Sequence, residues 1–141
     1  MKNPVPVYIA LGTNLGDRAA NVAEAVRRLG SLGAIVAVSS LVETEPWGVT
    51  EQPRFLNGAC LLETRLSPGR LLSRIKQIER EMGRVPTVRN GPRLIDIDIL
   101  LYDDLVMSTP RLTIPHAAMH TRDFVLIPLR QIAADVVHPL L

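Results

Sequence analysis

The sequence predicts a single α+β domain, residues 1–141, in which an antiparallel sheet is covered on one face by two helices. Two segments with apolar residues at helical spacing alternate with four β-rich segments, in the order strand, helix, strand, strand, helix, strand. The 141 residues are enough for one hydrophobic core. Hydrophobic residues make up 47% and charged residues 21%, which is typical of globular proteins and excludes a disordered chain.

The first strand and helix are predicted from the start of the chain. Residues 5–11 are β-rich and end at a glycine-containing turn, residues 12–16, after which Asp17 can cap a helix. Apolar residues continue that helix at helical spacing, namely Val22, Ala25, Val26 and Leu29. The turn has the glycines of a phosphate-binding loop but lacks the Gly-Lys-Ser/Thr ending, so it is weak support for phosphate binding.

The next two strands are predicted at residues 34–42 and 55–64, joined by a long connection. The connection, residues 43–54, has twelve residues, which is long for a hairpin and typical of a binding loop. It contains the only tryptophan, Trp47. The sequence allows two interpretations of this side chain: it caps the edge of the sheet, or it contacts a substrate.

The second helix begins after Ser67, its predicted N-cap, with Pro68 in the first turn and Gly83 at its end. Glu79 falls beside the apolar stripe, and helix geometry alone favours a solvated side chain there. After a fourth strand, short β segments at 106–107 and 111–116 and a last helix at 124–133 are predicted. The βαββαβ order predicts a ferredoxin-like sandwich with a short C-terminal helix.

The most informative feature is the pair Asp96 and Asp98 inside an apolar run, residues 93–102. Because strand side chains alternate, the two carboxylates share one face, about 7 Å apart. The apolar residues predicted for the other face are Ile95, Ile97, Ile99 and Leu101. Carboxylates on a rigid strand suit Mg²⁺, although a solvated strand face would show the same alternation. The three arginines in the preceding loop, residues 83–93, favour a metal–triphosphate site.

Charge and apolar patterning limit the class of protein. The net charge of +2 and the pI near 9.1 fit an anionic small substrate as well as a nucleic acid. No apolar stretch approaches the roughly 20 residues of a membrane span, and no signal peptide is recognisable, so a cytoplasmic location is predicted. Cys60 lies in an apolar run and is interpreted as a buried residue rather than a nucleophile.

Several ordered segments carry a family resemblance. They are ALGTNLG at 10–16, QPRFLN at 52–57, IEREMGR at 78–84, RNGPRLIDIDIL at 89–100, RLTIPH at 111–116 and RDF at 122–124. With them the chain resembles the hydroxymethyl-dihydropterin pyrophosphokinases of the folate pathway over nearly its whole length. The resemblance implies transfer of a pyrophosphoryl group from ATP to the hydroxymethyl oxygen of 6-hydroxymethyl-7,8-dihydropterin, with AMP as the other product. That reaction is a step of tetrahydrofolate biosynthesis.

The resemblance also implies roles for charged residues. Asp96 and Asp98 match carboxylates that hold two Mg²⁺ ions, and Arg84 and Arg93 match residues that neutralise the phosphates. His116 and Arg122 match further phosphate-contacting positions, and these six side chains are the implied catalytic group. The other implied ATP-binding positions are Glu79, which overrides its solvated interpretation, and Ile99, Arg111 and Thr113.

A pterin is a flat amphipathic bicycle that calls for stacking on its faces and hydrogen bonds at its edge. Phe55 and Phe124 match the sandwiching rings of the family, whereas the residues alone predict two core phenylalanines. Asn57 offers a donor and an acceptor to the pterin amide edge. The remaining implied pterin positions are Thr44, Glu45, Trp47 and Asp96, with Glu45 standing where the family has a proline.

The chain departs from its best-known relatives in the arginine loop. Pro86 replaces an arginine, Asn90 replaces a tryptophan, and the loop is about one residue shorter. This loop is the expected lid over ATP, so its closure rate and the substrate affinity are the properties in question. The expected partners are ATP and the dihydropterin, without nucleic acid or membrane. A monomer is expected, and association with other folate-pathway enzymes stays open.

Three rival interpretations are weaker. His116 and His120 are spaced for a zinc site, but Pro115 interrupts a helix there and a third ligand is missing. An RNA-binding sheet would need a pattern of surface aromatic residues that this chain does not have. A catalytically impaired relative serving as a binding or scaffold module would have lost an aspartate, His116 or a phosphate arginine, and all of these are present.

Overall fold

The structure is a computed structural model, and it describes residues 3–45, 51–83, 94–116 and 123–132. The strands are β1 (Val5–Thr13), β2 (Ala34–Val38), β3 (Val42–Thr44), β4 (Phe55–Thr64), β5 (Asp96–Tyr102), β6 (Met107–Ser108) and β7 (Thr113–Ile114). The helices are α1 (Arg18–Leu29), α2 (Pro68–Glu81) and α3 (Asp123–Ile132). None of the helices in the described ranges is both long and apolar enough to cross a membrane.

The main sheet is antiparallel, with strand order β2–β4–β1–β5, and β3 pairs with β4 next to β2. This order confirms the predicted α+β fold. The predicted strand 34–42 is wrong as a continuous element, because it divides into β2 and β3 at residues 39–41. There the Ser39 hydroxyl accepts a hydrogen bond from the Ala59 backbone N–H at 2.9 Å, so a side chain replaces the backbone acceptor.

Helices α1 and α2 cover one face of the sheet, and both begin at the predicted caps. Asp17 Oδ1 accepts a hydrogen bond from the Ala20 N–H at 3.1 Å, and Ser67 Oγ accepts one from the Arg70 N–H at 3.4 Å. Each cap satisfies a backbone donor that a helix start otherwise leaves unpaired. The largest fully buried apolar side chains of the main core are Ile9, Leu11, Leu29, Leu62, Leu71, Ile75, Ile95, Ile97 and Ile114.

Helix α3 covers part of the opposite face. Leu129 packs with Leu100 and Leu101 in a small second cluster. The Gln131 side chain accepts hydrogen bonds from the backbone N–H and the hydroxyl of Ser40, both at 2.8 Å, and so ties α3 to the break between β2 and β3. Asp96 and Asp98 lie on the same face of the sheet, nearer the start of β5.

The predicted face of Leu101 is wrong. A register shift between Tyr8 and Ile9 of β1 interrupts the alternation of β5, so that Ile9 pairs with Ile99 but Tyr8 pairs with Leu101. Leu101 therefore lies with Leu100 in the second cluster rather than in the main core with Ile99. A bulge of this kind inserts one extra residue and turns the side chains beyond it to the other face.

Gly33, in the turn between α1 and β2, allows that turn to lie close to the backbone of β4, and its replacement tests this packing. A Cβ on Gly33 would lie 2.1 Å from the backbone oxygen of Glu63, a contact that only backbone movement can relieve. We expect Gly33→Ala to lower the free energy of unfolding by about 3 kcal/mol or more, measured by urea denaturation. The matched control is Gly69→Ala in α2, where a Cβ meets no heavy atom of the described residues within 4 Å. That variant should gain up to about 1 kcal/mol, and equal stabilities would contradict the prediction.

Candidate active site

The aspartates of β5 lie on the sheet face opposite α1 and α2. Asp96 pairs across the sheet with Gly12 of β1, and Asp98 pairs with Ala10. Gly12 in turn pairs with Asn57 of β4. Directly paired residues of antiparallel strands share a face, so Asn57, Gly12 and Asp96 form one row across three strands. The residues of β1 next to the aspartates are Gly12 and Ala10. Their small side chains leave space above the sheet beside the carboxylates.

The carboxylates are crowded by like charges. Burial raises the pKa of Asp98 to about 7, and the negative charges of Asp96 and Glu79 add to this rise. Lys76 acts in the opposite direction, and Asp96 shares a side-chain hydrogen bond with Asp98. Burial removes water from the Asp98 carboxylate, and the neighbouring negative charges repel it, so both make its ionised form less stable. A cation placed between these oxygens would offset that cost.

The two aspartates are a donor set that suits a hard divalent cation such as Mg²⁺. In the described parts of the chain, no group of three or more acidic, histidine or cysteine side chains is arranged to hold a metal. Two carboxylates are nevertheless sufficient for Mg²⁺, which keeps several waters and takes substrate phosphate oxygens as its other ligands. Asp96 and Asp98 therefore fit a metal that arrives with a polyphosphate, rather than a closed structural metal site.

Glu79 is buried, and the solvated side chain that helix geometry favours is wrong. Only 1% of the residue is exposed. Its Oε2 accepts a hydrogen bond from the backbone N–H of Ile97 at 3.0 Å, and its Oε1 lies 3.2 Å from Lys76 Nζ. Since Ile97 stands between Asp96 and Asp98, Glu79 fixes α2 to β5 at the centre of the aspartate pair. A buried carboxylate is tolerated because these contacts compensate its lost hydration.

The other predicted ATP-binding residues of the described regions lie around β5 and α2. Arg111 donates a hydrogen bond through Nη2 to Ser73 Oγ in α2 at 3.2 Å, and the His116 backbone N–H donates to the Leu100 carbonyl at 2.9 Å. Thr113 is exposed at the start of β7. The Ile99 side chain is buried in the main core, so only its backbone is suitable for contact with a nucleotide.

The predicted pterin-binding residues of β3 and β4 are adjacent. Thr44 pairs with Phe55, and Asn57 Nδ2 donates a hydrogen bond to Thr44 Oγ1 at 2.7 Å. That bond orients the Asn57 amide. Next to it, a Cβ on Gly12 would lie 3.1 Å from Asn57 Oδ1, so glycine makes room for the amide. Glu45 forms an exposed ion pair with Arg54 at 2.8 Å.

The role of Gly12 is not among the predictions from the sequence. A glycine inside a strand often marks the close approach of a ligand or another chain segment, and this is the one indication that the sequence offers. Several predicted residues lie outside the described residues, namely Trp47, Arg84, Pro86, Asn90, Arg93, His120 and Arg122. Phe124 belongs to α3, but its side chain is not among those described. The roles assigned to these residues stay predictions.

Cys60 is buried in the main core, as predicted. Burial raises the pKa of its thiol to about 12. The thiolate is the nucleophilic form of cysteine, so this side chain is unsuited to covalent catalysis.

Comparison with known protein families identifies one family for this chain. Residues 8–134 match the model of the 7,8-dihydro-6-hydroxymethylpterin-pyrophosphokinase family. The chain belongs to this family. The predicted membership of the pyrophosphokinase family is thereby confirmed.

Relatives of two sizes share this pyrophosphokinase region. The chain is 42% identical over 134 residues to the 2-amino-4-hydroxy-6-hydroxymethyldihydropteridine pyrophosphokinase of Aquifex aeolicus, covering 95% of this chain and 84% of that protein. It is 49% identical over 135 residues to the folic acid synthesis protein FOL1 of Dictyostelium discoideum, covering 96% of this chain. The chain spans only 20% of FOL1, so it matches one part of a longer protein.

Solved structures support the same fold. The Plasmodium falciparum HPPK-DHPS crystal structure with pteroate superimposes with a TM-score of 0.79 at 19% identity. That match covers 100% of this chain and 41% of the larger one. At this identity the likeness establishes the antiparallel sheet with its packed helices.

Proposed function

We propose that this pyrophosphokinase-family chain transfers a pyrophosphoryl group from ATP to the hydroxymethyl group of 6-hydroxymethyl-7,8-dihydropterin. The products are AMP and the dihydropterin pyrophosphate, which is a step of tetrahydrofolate biosynthesis. The observation that carries the proposal is the row of Asn57, Gly12 and Asp96 across the open sheet face, with Asp98 beside it. The pyrophosphokinases of Aquifex aeolicus and Haemophilus influenzae are each 42% identical to the chain, over 134 and 137 residues.

Asp96 and Asp98 would hold the metal, and we propose two Mg²⁺ ions. When bound, Mg²⁺ neutralises charge on the triphosphate and lowers the pKa of the attacking hydroxyl. Asp96 and Asp98 present their oxygens from β5. Glu79 of α2 restrains this strand by accepting a hydrogen bond from the Ile97 backbone N–H. A rigid strand keeps these oxygens in place before substrate arrives, which limits the reorganisation needed during the reaction.

The pterin site is proposed on the β4 side of the same row. Neighbouring strands are about 4.8 Å apart, so Asn57 and Asp96 are separated by about 10 Å across β1. A pterin held at its amide edge by Asn57, and lying over Gly12, would extend toward the aspartates. Its hydroxymethyl group would then face the ATP phosphates. Phe55, at the start of β4, supplies one stacking ring, and Phe124 of α3 is the proposed second ring.

We propose that the nucleotide binds on the side of the site formed by β5 and α2. Arg84, Arg93, His116 and Arg122 are proposed to contact phosphates, where charge builds up as the hydroxyl attacks the β-phosphorus. Arg111, Thr113 and the Ile99 backbone are proposed to surround the adenosine. With little covalent chemistry for the protein to perform, catalysis consists mainly of positioning and electrostatic stabilisation.

Other properties stay predictions. They are the monomeric state, the cytoplasmic location and the absence of nucleic-acid and membrane partners. Association with other folate enzymes stays open, although the longer relatives include the mitochondrial folate synthesis bifunctional protein of Pisum sativum, which is 44% identical over 132 residues.

The deciding experiment measures AMP formation from ATP and Mg²⁺, with and without 6-hydroxymethyl-7,8-dihydropterin. We expect AMP release that depends on the pterin, is lost in Asp96→Ala and is retained in Asp104→Ala, an exposed carboxylate beyond the end of β5. If the wild type binds ATP but releases no AMP with excess pterin, the proposed activity is wrong. The catalytically impaired binding or scaffold module would then be the better interpretation.

A further inference from the structure

Two consecutive side chains at the end of β1, Thr13 and Asn14, connect to opposite sides of the site. Both are buried, with 0% and 1% of the residue exposed. The Thr13 hydroxyl donates a hydrogen bond to the carbonyl of Leu94, two residues before Asp96. Asn14 Nδ2 donates to Gln52 Oε1 at 2.8 Å and to the Pro53 carbonyl at 3.0 Å, two residues before Phe55. One turn therefore contacts the segments that lead into both β5 and β4.

The start of α1 strengthens the contact on the β4 side. Arg18 Nη1 donates a hydrogen bond to the Arg54 carbonyl at 2.9 Å and lies 2.7 Å from Glu43 Oε1 in β3. Arg18 thus joins both ends of the connection between β3 and β4. The turn itself is fixed by Asn21, whose Nδ2 donates to the Leu15 carbonyl at 2.8 Å.

These side chains are placed to orient other residues rather than to touch a substrate. Thr13 follows Gly12 in β1, and alternation turns it to the face opposite the aspartates. Buried donors that bond to backbone carbonyls restrict the path of the chain, because breaking them leaves a desolvated polar group without a partner. The segments they restrict carry Asp96 on one side and Phe55 and Asn57 on the other.

We propose that Thr13 and Asn14 are positioning residues with separate roles in substrate use. Asn14, together with Arg18, sets the position of Phe55 and Asn57 and thereby the affinity for the pterin. Thr13 sets the start of β5 and thereby the use of the metal–ATP complex. This proposal rests on the proposed pyrophosphoryl transfer. That activity is tested separately, by pterin-dependent AMP formation with the wild-type protein.

The test compares steady-state constants for the two substrates in AMP formation. Asn14→Ala is expected to raise the KM for the pterin about tenfold, the effect of losing about 1.4 kcal/mol, and to leave the KM for Mg²⁺–ATP within about twofold. Thr13→Val, which keeps the shape and removes the hydroxyl, should raise the KM for Mg²⁺–ATP or lower kcat while sparing the pterin KM. Crossed effects of this kind would not follow from a general loss of stability.

Conservative variants separate hydrogen bonding from packing. Thr13→Ser keeps the donor and should restore wild-type constants, whereas Asn14→Asp keeps the size but has no N–H to donate and should behave like Asn14→Ala. If Asn14→Ala does not fold, Arg18→Ala tests the same side from the surface, with an expected rise of about threefold in the pterin KM.

The outcomes are distinguishable. Variants that change both KM values alike, or that change only thermal stability, would overturn the separate positioning roles while leaving the proposed function in place. A folded wild type without pterin-dependent AMP release would overturn the proposed function, and the positioning roles with it.

Discussion

Asp98→Ala is expected to lower pyrophosphoryl transfer by about three orders of magnitude or more. The carboxylate is one of the two proposed metal anchors, and metal stabilisation of transition-state charge is worth several kcal/mol, at about 1.4 kcal/mol per tenfold change in rate. The loss should appear mainly in kcat/KM for ATP, because Asp98 lies opposite Ala10, away from the row that contains Asn57. AMP release under saturating pterin measures it.

The same variant is expected to remain folded. Burial and the neighbouring carboxylates raise the pKa of Asp98, so its charged form is unfavourable in the absence of a cation. Removing that charge should therefore leave the free energy of unfolding unchanged or slightly higher in metal-free buffer, as measured by urea denaturation. Asp104→Ala is the matched control, since it removes an exposed carboxylate from the turn after β5. A folded Asp98→Ala protein with wild-type turnover would refute the assigned role.

The elements that the sequence predicts best are those defined by neighbouring residues. Asp17 and Ser67 cap their helices because an N-cap needs only a side-chain oxygen and a backbone N–H three residues later. Strand β4 has the predicted bounds, residues 55–64, because an apolar run ends there in turn residues on both sides. Alternation in β5 likewise places both aspartates on one face without knowledge of the partner strand.

The errors come from contacts between distant residues. Helix spacing places Glu79 at the margin of the apolar stripe, but its burial depends on the Ile97 N–H, 18 residues later in the chain. The side of Leu101 depends on a register shift that exists only in the pairing with β1. The break at Ser39 similarly requires Ala59 of β4 as its partner. No local pattern contains these partners.

In the candidate site, too, local features are predicted from the sequence and contacts between distant residues are not. The spacing of the aspartates predicts their shared face, and the family resemblance implies Asn57 and Thr44. Their arrangement around Gly12 depends on the pairing of β3, β4, β1 and β5. Thr13 and Asn14 lie in a segment that carries the family resemblance, but the sequence does not indicate which residues they contact. Their contacts with Leu94 and Gln52 cross 81 and 38 residues of chain.

Glu79→Ala is expected to destabilise the protein and to weaken the aspartate strand. It leaves the Ile97 N–H buried without its acceptor, which costs about 1–3 kcal/mol in the free energy of unfolding. Lys76 adds little to this cost, because its side chain is 46% exposed and stays hydrated. Hydrogen exchange of the Ile97 amide should be faster in the variant, beyond the change expected from global stability alone.

Glu79→Gln separates the anchor from the charge. Glutamine keeps a carbonyl oxygen for the Ile97 N–H and removes the negative charge that adds to the raised pKa of Asp98. We expect its free energy of unfolding to stay within about 1 kcal/mol of the wild type, well above that of Glu79→Ala. If both variants were equally destabilised, the contact with Lys76 would matter more than the backbone anchor. If Glu79→Gln were stable but poorly active, the carboxylate charge itself, rather than the fixed position of β5, would be what the nucleotide site requires of α2.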